Sequence, residues 1–284
     1  MTHPAYDLYS PSVRSTCVVF ASPHSGRAYP AAFLAQSKLN SDAIRSSEDA
    51  YVDDLFAGAP GHGAPLIAAR TPRAYVDFNR APEELDPALI DGVRRISSNP
   101  RVASGLGVIP RVVAGGRVIH DGKITLEQAH ARITQHWRPW HDRLQTLLDE
   151  SARLFGQSVL IDCHSMPHEA LDNITGPRPD VVIGDRFGAS ASPALVHEVC
   201  EAFTAAGLRC VRNAPFAGAY VAQHYGKPAR RQHAVQIEID RALYMNEQTL
   251  QKRDDFDDLR RLLDGVIVRI AAAGAADDHA LAAE

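Results

Sequence analysis

The chain lacks the features that mark several common function classes. No apolar run approaches the ~20 residues that a membrane helix needs. The first residues, "MTHPAYDLYSPSVRST", have neither the basic head nor the apolar middle of a signal peptide. Charge of one sign is scarce: the net charge is −4 over 284 residues, which argues against nucleic acid or an anionic membrane as partner. The four cysteines (Cys17, Cys163, Cys200 and Cys210) include no CxxC pair, so reduced core residues of a cytoplasmic protein are expected. No GxSxG elbow, GxGxxG loop or GxxxxGK[ST] loop is present, which removes the serine-hydrolase, dinucleotide and P-loop readings. There is no internal repeat and no linker.

What the chain does have is enough apolar residue content (45%) for a core that needs no disulfide. Short apolar runs predict strands at 16–22, 63–70, 158–165, 180–185, 208–214 and 233–240, most of them nearly continuous in apolar residues, as expected for strands covered on both faces. Helical spacing joins Leu126, Ala129, Ile133, Trp137, Trp140, Leu144, Leu148 and Phe155, with Pro139 expected to kink the helix or to start a second one. A further helix is expected over 193–206, capped by Gly207, and a terminal one over 247–273. This alternation predicts an α/β fold, a single domain over 1–284 with a central mixed, mostly parallel sheet flanked by helices. The ends, about 1–12 and 274–284, are expected to be flexible. The segment 81–123 is irregular, and long insertions of that kind are commonly functional.

Ligands of open α/β sheets bind beyond the carboxyl ends of the strands. Two predicted strands end in histidine, "SPHSG" with His24 and "DCHSMP" with His164, and "VQIEID" carries Glu238 between two isoleucines. A lone histidine after a strand is usually structural, and Gln236 and Asp240 share the face of Glu238, which favours a solvated face. Two strand-end histidines together suit zinc, which takes imidazole and carboxylate readily. "SSEDAYVDDLF" offers Glu48, Asp49, Asp53 and Asp54 as a third ligand, although acids also decorate helix starts for dipole reasons. Cys163 should point away from its neighbour His164, because successive strand residues face opposite sides. "TPRAYVDFNRAP" (71–82) alternates like a strand, with Arg73, Tyr75, Asp77 and Asn79 on one face. Its Asn79-Arg80 pair would suit a carboxylate, since guanidinium binds carboxylates bidentately.

Taken in order, "PHSGRAYP", "EDAYVDDL", "VDFNRAP", "LIDCHSMP", "FAGAYVAQHYG" and "HAVQIEIDRALYM" resemble the N-formylglutamate amidohydrolase family, relatives of the zinc carboxypeptidases and aspartoacylases, from about Val18 to Met245. The resemblance implies a zinc-carboxypeptidase-like fold and one Zn2+ per chain, held by His24, His164 and Asp49, with Glu48 the competing acid. The carboxypeptidase-type His-x-x-Glu is absent, since Arg27 stands three after His24. It implies Glu238 as general base, Asn79 and Arg80 for the substrate α-carboxylate, Arg73 for the side-chain carboxylate or the oxyanion, and His224 and Tyr225 as pocket lining. The implied partner is a small N-acyl amino acid, and the implied reaction releases formate from N-formyl-L-glutamate in histidine breakdown. Rival expectations are a deacylase of other N-acyl amino acids, a carboxypeptidase-like hydrolase, or a metal-binding protein without catalysis. The last has no use for a general base. Nothing in the chain speaks to its oligomeric state.

Overall fold

The computed structural model describes residues 4–94 and 99–275. Its strands are β1 (Tyr6–Tyr9), β2 (Val18–Ser22), β3 (Leu66–Ala69), β4 (Val112–Val113), β5 (Arg117–Val118), β6 (Ser158–Met166), β7 (Val181–Gly184), β8 (Cys210–Arg212), β9 (Gln232–Asp240), β10 (Met245–Asn246) and β11 (Gln251–Lys252). A 7-stranded sheet takes the order β1-β3-β2-β6-β9-β7-β8. Strand β2 is parallel to β6, β6 to β9 and β7 to β8, while β7 runs antiparallel to β9. The fold class is therefore the expected one, α/β with a mixed, mostly parallel sheet. Every residue of β2, β3, β6 and β7 is buried, which is why these segments are nearly continuous in apolar residues, β6 up to Asp162, rather than alternating.

The helix that starts at Leu126 is opened by a capping box between Thr125 and Gln128. It does not break at Pro139. It widens into a π turn over Ile133–Trp137 and continues as Arg138–Phe155. Proline offers no N–H to the carbonyl four residues back, here Gln135, and its ring would strike that oxygen in a regular α turn. The wider turn removes the clash. The helix Pro193–Ala205 ends as its sequence suggests. Gly207, at φ +85°, donates to Thr204 O, and Leu208 donates to Phe203 O, the two bonds of a Schellman motif.

Backbone contacts group the chain into two compact units. One comprises Met1–Asp7, Pro23–Ala50 and Ala68–Arg143. Its small core contains Phe33, Ile44, Ala74, Val113 and Ile119, with Tyr29, Leu39 and Tyr75 packed against them. The other comprises Leu8–Ser22, Tyr51–Ile67 and Leu144–Glu284 and holds β2 and β6 to β9. There the helices Pro193–Ala205 and Phe256–Ala275 pack on one another, burying Val196, Val199 and Phe203 from the first and Leu263, Val266, Ile267 and Ile270 from the second. Among the described residues, no helix is long and apolar enough to cross a membrane.

Three expectations need correction. Within the start expected to be flexible, about 1–12, Tyr6–Tyr9 forms the edge strand β1. The terminal helix starts at Phe256 rather than 247, because β10 and β11 first pair as a hairpin whose turn is held by Asn246 Oδ1, accepting from the Gln248 and Thr249 N–H groups. Residues 71–82 form turns rather than a strand: the Tyr75 and Val76 N–H groups return to Pro72 O, and the Asp77 carboxylate accepts from the Asn79 N–H. Proline and aspartate turn chemistry there overrides the alternation. Of the expected loose C-terminal end, 274–284, Gly274 and Ala275 belong to the helix Phe256–Ala275, and the rest lies outside the described residues.

In the first unit Arg132 lies over the rings of Tyr75 and Phe33, with its Cζ 4.2 and 5.4 Å from the centroids, and His120 packs on Phe33. Burial, and then the Arg132 charge, push His120 from 6.5 down to about 4. The unfolded chain thus binds a proton between those pH values that the folded chain refuses. The stability contributed by neutral His120 is complete above about pH 6.5 and is lost as pH falls towards 4. Melting temperature measured from pH 7.5 to 4 should therefore fall less steeply in His120→Leu than in the wild type. Parallel curves would remove His120 from the acid response.

Candidate active site

His24 follows β2 by two residues. Gly26 is required beside it, because a Cβ there would lie 2.2 Å from Thr71 O and force apart two backbones that are tied by the Ala28 N–H to Arg70 O bond of 2.9 Å. A second backbone bond, from Asp49 N–H to His24 O at 3.0 Å, fixes Asp49 next to the histidine. His164 comes from β6, whose nine residues are all buried. His24, Asp49 and His164 are each almost fully buried, and each offers one ligand atom within 4.8 Å of the others.

The chemistry of His24 shows that this donor set fits a cation. A neutral imidazole has one N–H. Nε2 lies 2.8 Å from Asp77 Oδ1, and Nδ1 lies 3.3 Å from Asp49 Oδ2. With the proton on Nε2, a lone pair faces a carboxylate across the second contact, an arrangement that a cation between the two atoms stabilises. The 3.3 Å separation is close to the ~3.4 Å edge that zinc bond lengths give a tetrahedral site. On His164, Nε2 lies 3.0 Å from Asp162 Oδ2, and the fully buried Asp162 carboxylate makes no well-aligned hydrogen bond. Both histidines thus have a carboxylate against Nε2, the usual support for metal-ligating imidazoles.

Asp77 connects further groups to His24. Its Oδ1 also accepts the Asn79 N–H at 2.8 Å, and its Oδ2 accepts Arg73 Nε at 3.0 Å. Burial alone would raise the Asp77 carboxyl, but Arg73, His24 and Arg80 outweigh it and hold the group well below the usual carboxylate range. Arg80 is itself buried. It donates from Nε to Leu106 O at 2.9 Å and from Nη1 to Asn79 O at 2.7 Å. Glu48 is engaged elsewhere: both its oxygens accept from Arg45, and Oε1 accepts from the Tyr29 hydroxyl at 2.8 Å.

Glu238 and His164 are register partners on the parallel strands β9 and β6, and so share a face. That face is not solvated, contrary to what Gln236 and Asp240 suggested: Gln236, Glu238 and Asp240 are all buried. His224 and Tyr225 lie on the helix Tyr220–Tyr225, where exposed His224 stacks on Tyr220 at 5.0 Å and meets the buried Tyr225 ring edge-on. Cys163 is buried on the other side of β6. Burial and then Asp162 push its thiol well up, so packing is its role. The structure adds Asp77, Asp162 and Gln236 to the residues singled out from sequence. The last two stand two positions before His164 and Glu238, where strand periodicity places side chains on the same face.

The sequence from residue 16 to 245 matches the model of the N-formylglutamate amidohydrolase family. The chain belongs to this family. It is 30% identical over 239 residues to an N-formylglutamate deformylase of Pseudomonas aeruginosa, covering 81% of this chain and 83% of that one. It is 31% identical over 204 residues to the enzyme of the same name from Pseudomonas putida, covering 70% and 71% of the two chains. A crystal structure of N-formylglutamate amidohydrolase from Ralstonia eutropha JMP134 superposes with a TM-score of 0.90 at 33% identity, covering 96% of this chain and 99% of that one. A gene product of Agrobacterium tumefaciens shares the fold at TM-score 0.65 and 16% identity.

The support given by Asp77 has a measurable consequence. Asp77→Asn should weaken divalent-metal affinity by about 10- to 100-fold, read by chelator competition. Unchanged affinity would reduce Asp77 to a structural partner of Arg73.

Proposed function

We propose that this protein is a metal-dependent amidohydrolase that cleaves N-formyl-L-glutamate to L-glutamate and formate, a cytoplasmic step of histidine breakdown. The observation that carries this reading is the His24, Asp49 and His164 donor set, with Glu238 in register beside His164, in a chain of this family. Asp49 is preferred to Glu48 as third ligand because Arg45 and Tyr29 engage the Glu48 carboxylate. One Zn2+ bound by these three residues would supply Lewis-acid polarisation of the formyl oxygen and lower the pKa of a water to ~7.

Glu238 takes a proton from the attacking water as its oxygen bonds to the formyl carbon, and then delivers that proton to the amide nitrogen as the C–N bond breaks. The products are formate and the free amine of glutamate, so the water is fully accounted for. Arg80, with Nε and Nη1 donating to backbone carbonyls, has Nη2 left for the substrate α-carboxylate alongside Asn79. Arg73 serves the side-chain carboxylate, and His224 and Tyr225 form part of the pocket wall.

Two measurements test the reading. Glu238→Gln, nearly isosteric, should lower kcat by roughly 10²- to 10⁴-fold while metal stays bound. Near-normal turnover would make Glu238 structural. Formate release from N-formyl-L-glutamate should exceed acetate release from N-acetyl-L-glutamate and hydrolysis of the N-formylglutamate α-amide. Equal rates across the three would replace the proposal with a broader deacylase.

A further inference from the structure

We infer that Gln236 is a positioning residue for Glu238, holding the carboxylate in one orientation through a relay that starts at the Ala219 backbone. The inference rests on the reading of Glu238 as the base. Gln236 lies two residues before Glu238 on β9 and is 3% exposed, so its amide must find partners inside the protein. It has them on both ends: Oε1 accepts the Ala219 N–H at 3.2 Å, and Nε2 donates to Glu238 Oε1 at 2.8 Å. The opposite amide orientation would set donor against donor at Ala219 and oxygen against oxygen at Glu238. The backbone N–H therefore dictates which way the glutamine points.

The Ala219 N–H is itself placed rigidly. Ala219 is the N-cap residue of the helix Tyr220–Tyr225, with its O accepting the Gln223 N–H, and it follows Gly218, whose φ of +102° only glycine adopts easily. Behind this turn stands Gly184 of β7, where a Cβ would lie 2.7 Å from both Ala217 C and Gly218 N, so the turn packs directly on the sheet backbone. Close packing of the turn on β7 thus sets the glutamine, and the glutamine sets the carboxylate. A charge-assisted bond of this kind ties one oxygen of Glu238 and stops rotation of the group. A base already held in its working orientation loses less freedom on reaching the transition state. His224 and Tyr225 ride on the helix that Ala219 begins, so these two residues and the base share one anchor.

A double-mutant cycle tests this with the full-length, metal-loaded protein and N-formyl-L-glutamate. Gln236→Met keeps the length and removes the amide. Gln236→Leu removes the amide with a differently branched apolar chain, which guards against a packing defect peculiar to the first variant. Both should lower kcat by about 10- to 100-fold with KM within about 3-fold of wild type, and with metal content and melting temperature retained. Placed in the Glu238→Gln background, either change should cost less than about 2-fold more, because the group it positions is gone. Wild-type kcat in both Gln236 variants, or the same fold-loss in both backgrounds, overturns the inference while the base reading stands. Near-normal turnover in Glu238→Gln alone removes the base reading, and the inference with it.

Discussion

The register between β6 and β9 is the constraint on which the candidate site depends. Parallel pairing sets Asp162 beside Gln236, His164 beside Glu238 and Met166 beside Asp240. A slip of one residue would put Ile237 or Ile239 beside His164 and turn the carboxylate to the opposite face. What prevents the slip is the apolar side of the same strands. Ile161, Cys163, Val235, Ile237 and Ile239 are all fully buried, and a shift would exchange that layer for charges. Core packing and the placement of ionisable groups are thus one requirement.

Around Glu48 and Asp77 the carboxylates are held by paired charge rather than apolar fit. Asp77 is balanced by Arg73 and by contact with His24, and Glu48 by Arg45 and the Tyr29 hydroxyl. Buried ion pairs of this kind contribute little net stability against an apolar alternative. Their value here is geometric. Glu48 and Asp49 are adjacent acids of similar reach, and the claim of Arg45 on Glu48 distinguishes them.

Sequence alone revealed much of the sheet, because strands covered on both faces leave long apolar runs that no solvent-facing segment imitates. The end of the helix Pro193–Ala205 was equally plain, since Gly207 alone makes the left-handed turn easily. Two other segments misled for opposite reasons. At 71–82 a true alternation of side chains is built from turns, with no partner strand to confirm it. At 247–255 residues read as helix lie instead in and after a hairpin that Asn246 closes locally. In the site, His24, His164 and Glu238 stood out as polar residues at the ends of or inside apolar runs, whereas Asp162 and Gln236 passed as neighbours. Their importance depends on which face is covered, a fact of tertiary packing. Asp77 was visible only as one polar residue among several, and its bond to His24 joins residues 53 apart in sequence.

The opposed directions of Cys163 and His164 bear on coordination chemistry. The donor set contains two imidazoles and a carboxylate, and the nearest sulfur in sequence lies on the far side of its strand with its thiol held protonated. Mild thiol oxidants, which act on thiolates, therefore find no ligand to modify. A set of nitrogen and oxygen donors without thiolate also discriminates weakly among divalent first-row metals, whose affinities follow a common order at such sites. A cation bound there would then be chosen by supply as much as by the protein.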